Sequence, residues 1–290
     1  MIKMTAGEKT FEIFNYILLT LISITMIFPI LHVAAQSFSS DLAINNGDVT
    51  IWPVQFTLSN YAIVLNDSSV WRAFRVSVIV TVVGTLINLI ATASLAYPLS
   101  RGEYMGRKTI LMMVLLTFIF SAPLIPNYLL VKNLFLLDTV WALIIPSAIS
   151  AYNLFIMRSF FLGLPSEIID SGRIDGCGEL RIISSIVLPL SKPVMATMGL
   201  FYAVAHWNSY SSALYFINDR LLFPLQVRLR EIVITDYMGE MDSTMENLAN
   251  MSPEGIKMAT IVVATVPIML VYPFLQKYFV KGMLIGSIKS

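Results

Sequence analysis

Residues able to do chemistry are sparse in this chain, and those that stand in a pattern lie between positions 165 and 189. There Glu167, Asp170 and Asp175 are spaced along a segment interrupted by Gly172 and Gly176 and closed by Ile186, Leu188 and Pro189. No catalytic constellation accompanies these acids: the sequence holds no His-Glu-x-x-His, no paired metal ligands and no nucleophile elbow. Gly106-Arg107-Lys108-Thr109 looks like the end of a phosphate-binding loop, but it lacks the first glycine at the right spacing and a preceding strand. The single cysteine, Cys177, rules out an internal disulfide and reads as a small packed side chain. The two histidines, His32 and His206, fall near the ends of apolar runs, where capping or interfacial roles are expected. Nothing here holds a metal or cofactor.

The elements that must position the 165–189 segment are apolar. Of 290 residues, 57% are hydrophobic and only 13% charged, where a soluble domain carries about 25% charged residues. Mean hydropathy is +0.76. The apolar residues come in runs of about 20, the length that crosses a hydrocarbon slab as helix. Six spans are expected: Ile13–Val33, Val76–Tyr97, Ile110–Leu130, Trp141–Phe161, Val194–Phe216 and Met258–Phe279. The fold class is an all-α membrane protein, with residues 1–290 forming one transmembrane domain. The first run is longer than a signal-peptide core and is read as retained. A net charge of +1 points to neither nucleic acid nor an acidic surface as partner.

Basic residues set the orientation. With both termini in the cytoplasm, 12 of the 19 Lys and Arg residues lie inside, among them Lys3, Lys9, Arg101, Arg107, Lys108, Lys277, Lys281 and Lys289. The outer segments 34–75 and 208–257 are long, and loops of that length are either functional or irregular. They read as a docking surface for something outside the membrane, or as plain connecting structure. The inner segment 163–192 reads as a helix–turn–helix at the membrane surface. Pro165 opens a first helix from Ser166 to Ile174, Asp175-Gly176 turns the chain, and a second helix runs from Glu179 to Val187. Leu188-Pro189 is expected to separate this element from the next span.

The same segment resembles the coupling motif of bacterial ABC importer permeases, Glu-Ala-Ala, three residues, Gly, nine residues, Ile-x-Leu-Pro. Asp170-Ser171-Gly172 stands at Glu-Ala-Ala, Gly176 follows after three residues, and nine more lead to Ile186, then Leu188-Pro189. The longer form seen in sugar permeases is met by Pro165, Glu167, Asp175, Gly176, Pro189 and Pro193. The departures, Asp170 for Glu, Ser171 and Gly172 for alanines and Cys177 for Ala, keep charge sign or small size. Small residues here (Ser171, Gly172, Gly176, Cys177) suit close contact with a groove on an ATPase subunit. Length and the tail Lys277-Tyr278-Phe279-Val280-Lys281-Gly282 are similar to maltose-type carbohydrate permeases, and closest to those for complex, uronate-containing oligosaccharides.

The resemblance implies a type I importer fold in the bacterial cytoplasmic membrane. It also implies a second, related permease, an ATPase dimer carrying ATP and Mg, an extracytoplasmic solute-binding protein and an oligosaccharide substrate. This chain itself would be no enzyme. Polar residues within the spans include Asn88, Thr92, Ser147, Ser150, Tyr152, Asn153, Tyr202, His206, Trp207 and Asn208. They suit either a sugar pathway, with Tyr152, Asn153, Tyr202, His206, Trp207 and Asn208 supplying hydrogen bonds and ring stacking, or helix-to-helix bonding and interfacial anchoring. A non-sugar solute on the same machinery and a stand-alone carrier are the alternatives. The absence of acidic residues near span centres argues against the carrier.

Overall fold

The structure is a computed structural model and describes residues 6–234 and 253–287. Lys3, Lys289 and the 235–252 part of the last long segment lie outside the described residues, and of Lys277 and Lys281 only the helical backbone is described. The chain divides into two compact units, one within Met1–Ser68 and Leu229–Val266, the other within Ser69–Arg228 and Pro267–Ser290.

In the first unit, α1 (Ala6–Ser37) is unbroken, and its most apolar stretch is wholly unburied within this chain. A helix apolar on every face belongs in lipid or against another chain. Ser40 caps α2 (Asp41–Asn45) by accepting the Ala43 N–H at 3.3 Å, and α3 (Ser59–Asn66) follows. Phe38 packs against Phe56, 5.5 Å away, and Tyr61, 4.8 Å away, so an aromatic cluster orders residues 38–61. His32 donates to the Thr50 carbonyl at 2.6 Å, tying the end of α1 to the segment that follows it. Asn60 is buried against Gly255, where a Cβ would come within 2.6 Å of the amide nitrogen.

The second unit is built on α4 (Ser68–Ser100). Around it come α5 (Arg107–Ile119), α6 (Leu124–Asn133), α7 (Trp141–Ser147), α8 (Ala151–Leu162), α9 (Ser166–Ile174), α10 (Glu179–Leu190), α11 (Lys192–Trp207), α12 (Ser211–Phe216) and α13 (Leu225–Ile234). The last helix, α14 (Pro253–Ser287), runs from one unit into the other. Among the described residues, α1, α4 and the first 18 residues of α14 are long and apolar enough to span, up to five if each bent pair, α7/α8 and α10/α11, is counted as one span.

Three expected spans are not continuous. Ile110–Leu130 is split between α5 and α6, because Pro123 adopts an extended conformation and cannot continue the helix. Trp141–Phe161 bends by 52° between α7 and α8, where Pro146 sits in a 3₁₀ turn. Val194–Phe216 ends as a helix at Trp207 and resumes at Ser211. The terminal segment expected as a short tail is instead helical to Ser287.

One apolar core joins the 165–190 region to the bundle. Ile169, Ile182 and Val187 are buried in the same cluster as Ala96, Tyr97 and Leu99 of α4, Leu154, Met157 and Phe161 of α8, and Val194 and Met198 of α11.

Candidate functional site

The 166–190 element is closed by local geometry. Gly176 has φ +79°, the left-handed conformation that glycine adopts without penalty. The Cys177 N–H returns to the Gly172 carbonyl at 2.9 Å and the Gly176 N–H to Arg173 at 3.0 Å. This is the paired bond pattern that ends a helix on a glycine. Gly172 is small for an internal reason: a Cβ there would lie 2.8 Å from Ile186 Cδ1, so the glycine lets α9 close onto α10. Its expected place on the outward contact face is therefore corrected. Ser171 is exposed and bonds the Ile168 carbonyl at 2.9 Å. Glu167, Asp170, Asp175 and Gly176 are also exposed, as are Ile174 at 87% and Leu180 at 84%, flanking the turn.

The junction to the bundle also differs from expectation. α10 runs through Leu188-Pro189 and breaks at Ser191, where α11 leaves at 86°. Residues Ile183–Val187 form a π-turn, with the Leu188 N–H reaching back to the Ile183 carbonyl. The widened turn makes room for the Pro189 ring, which would otherwise meet the carbonyl four residues earlier.

Arg173 gathers the acids of this region. It pairs with Glu103 of the α4–α5 loop, with Glu179 at 3.0 Å and with Asp170 at 3.6 Å. Glu179 also accepts from Tyr97 Oη at 2.9 Å, with Tyr104 beside it. The Arg173 hydrogen bond holds the Glu103 carboxyl below its usual range. Partial burial would raise Glu179, but Tyr97, Tyr104 and Arg173 together outweigh it and hold that carboxyl low as well. The same carboxylates, Glu103 first, raise Arg173 further above its already high value. Beside this hub, Arg101 donates to the Phe161 carbonyl at 3.0 Å and Arg158 to the Leu99 carbonyl at 2.8 Å. Each arginine thus binds a carbonyl at the end of the other's helix, where carbonyls lack partners.

A second polar group sits inside the bundle. Asn88 of α4 donates one amide proton to the Ser147 carbonyl at 3.2 Å and the other to His206 Nε2 at 3.1 Å. That assignment makes His206 the tautomer with its proton on Nδ1. Thr92 shares a 2.7 Å bond with Tyr202 Oη, which also accepts the Ser150 N–H at 3.1 Å. Ser147 and Ser150 flank the 52° bend, so α4 and α11 bind backbone groups that the break would leave unpaired. His206 lies flat against Gly84, where a Cβ would be 2.5 Å from Nε2. It is a buried packing residue, which corrects its expected interfacial role.

Of the six span residues named as a pathway, the structure brings Tyr202 and His206 together in this seam. Tyr152 is 53% exposed and stacks on Phe201 at 6.4 Å, while Asn153 is buried with its N–H capped by Ser150. Trp207 is buried edge-on to Phe74 at 5.9 Å, and Asn208 is exposed and folds back on the Val204 carbonyl. The sequence reading passed over Gly84, Tyr97, Glu103 and Tyr104. Only the opposite charges of Arg173 and Glu179, six residues apart on a short turn, carried a signal for the hub.

Known proteins place this geometry. Residues 4–285 match the family described as binding-protein-dependent transport system inner membrane component. The chain is 44% identical to Protein LplC of Bacillus subtilis, over 99% of this chain and 97% of that one. It is 42% identical to that organism's polygalacturonan/rhamnogalacturonan transport system permease protein YtcP, over 98% and 99%. A crystal structure of a bacterial ABC transporter involved in the import of the acidic polysaccharide alginate contains a chain that superposes with TM-score 0.90 at 30% identity, covering 96% of this chain and all of that one. With its all-α fold and its apolar helices, this chain belongs to the family of inner-membrane components of binding-protein-dependent transport systems.

Proposed function

We propose that this chain is one of two permease subunits of an ATP-driven importer for acidic oligosaccharides, set in the cytoplasmic membrane with both termini inside. The observation that carries this reading is the 166–190 element: a glycine-closed helix pair, its second helix at 86° to α11, that presents Ile174 and Leu180 to its surroundings. Exposed apolar side chains on a polar surface element mark a docking site, and its partner is an ATPase subunit. Glu167, Asp170, Ser171 and Asp175 form the polar rim of that contact, and ATP with its Mg ion sits on the partner. A solute-binding protein delivers the sugar at the opposite face. Movement of the ATPase pair is passed through the element to α8 and α11, and the bundle opens alternately to each side.

Acidic sugars are favoured because two close relatives are described as handling galacturonan and alginate polymers. Arg72 and Arg75, both exposed and one turn apart at the proposed outer end of α4, suit arriving carboxylates. Of the expected pathway residues, the exposed Tyr152 and Asn208 would meet the sugar's ring faces and hydroxyls, while the buried Asn153, Tyr202, His206 and Trp207 would shape the helices behind them.

The test is reconstitution of this chain with its partner permease, ATPase pair and binding protein in vesicles. Labelled oligogalacturonides should accumulate only with ATP, and neutral malto-oligosaccharides should not. Accumulation of a phosphorylated polyol in place of the uronide would overturn the substrate, and ATP-independent uptake by this chain alone would overturn the mechanism.

A further inference from the structure

We propose that Arg173 is a positioning residue that joins the docking element to α4, a helix that neither of its chain connections reaches. Covalently, the element sits between α8 and α11, so a push on it would be expected to move those two helices alone. The hub adds a third attachment. Arg173 on α9 pairs with Glu103, which lies just beyond the end of α4, and with Glu179 at the start of α10. Glu179 in turn takes a hydrogen bond from Tyr97, in the last turn of α4, at 2.9 Å. One cation therefore touches both halves of the element, and through them the end of α4.

Two further observations set the direction of this linkage. The side chains of Ile169, Ile182 and Tyr97 share one buried apolar cluster, so the polar joint lies over a packed contact. Arg101 and Arg158 then bond each other's helix ends across α4 and α8. A displacement of the element is carried to α4 by the hub and to α8 both by the chain and by these arginine bonds. The turn at Gly176, with Ile174 and Leu180, is left free to face the ATPase, because Arg173 points toward the acids of the bundle side.

This inference rests on the proposed docking of the element to an ATPase, and the experiment separates the two. The assembled importer is prepared with Glu103→Gln, with Tyr97→Phe and with both. Glu103 lies on a half-exposed loop, so its substitution spares the core. Three quantities are read: ATPase retained on purification, ATP hydrolysed, and sugar accumulated. Glu103→Gln should keep its ATPase subunits and keep hydrolysing ATP. Sugar moved per ATP should fall by up to about fivefold, the upper bound for losing one half-exposed ion pair, and Glu103→Asp should recover part of it. Unchanged sugar per ATP in the double variant would overturn the joint. So would loss of the ATPase subunits from Glu103→Gln, since that would make the hub a docking contact. Wild-type protein that retained no ATPase would instead remove the docking reading itself.

Discussion

At the 166–190 end of the bundle, Arg173 gathers three carboxylates, one of them also bonded by a tyrosine of α4; farther along α4, Asn88 and Thr92 join that helix to His206 and Tyr202 of α11 with an amide, hydroxyls and a ring. Both groups tie α4 to another part of the chain, yet they use different chemistry. The hub is half-exposed, where water screens its charges and each such pair is worth about 0–1 kcal/mol. The seam lies within the spans, where a charge at the centre costs about 3 kcal/mol even by the mildest scale. Interhelical hydrogen bonds in membrane proteins average about 0.6 kcal/mol. Neither group is therefore a large source of stability. Each fixes geometry: the hub sets where the 166–190 element stands, and the seam sets the bend between α7 and α8.

The comparison breaks most readily at Gly84. Gly84→Val would drive its side chain into His206 and detach the ring from Asn88. Overpacking of this kind costs about 1–3 kcal/mol, so the apparent melting temperature of the purified protein should drop clearly. Adding His206→Ala should recover part of the loss, because the two changes act on one contact. A Gly84→Val protein as stable as wild type would show that the seam does not close on this glycine.

The hub should respond to acid, and by less. Glu103 and Glu179 are both held below the usual carboxylate range. Their contribution is thus complete above the unfolded value of about 4.3 and is lost as pH falls through the lower folded values. The stability gap between wild type and Glu103→Gln should be constant near neutrality and shrink below about pH 4. A gap that grew on acidification would have the wrong sign for a depressed carboxylate.

How far each region could be read from sequence follows from the range of its contacts. The 166–190 element was legible because its parts are near neighbours: the Gly176 turn ends α9, with the Gly176 N–H on Arg173 and the Cys177 N–H on Gly172, and the spacing to Leu188-Pro189 sets where α10 runs. The family resemblance rested on that spacing, and the match over residues 4–285 bears it out. The continuous spans α1 and α4 were legible from apolar length alone. The breaks at Pro123 and Pro146 were signalled by proline, but whether a proline kinks a helix or divides it depends on what can bind the freed backbone. For Ser147 and Ser150 that is Asn88 and Tyr202, 59 and 52 residues distant. No local pattern encodes such a pairing. For the same reason Gly172 was read as facing outward, when its partner Ile186 lies on the other helix of the pair.

The account depends most on the claim that the turn between α9 and α10 seats against an ATPase subunit. Leu180, 84% exposed beside that turn, is the place to measure it. In a Cys177→Ser background, Leu180→Cys is labelled with a water-soluble maleimide, with the permease pair alone and in the assembled importer. Docking predicts rapid labelling of the permeases alone and strong protection once the ATPase subunits are bound. Equal labelling rates in the two states would contradict it.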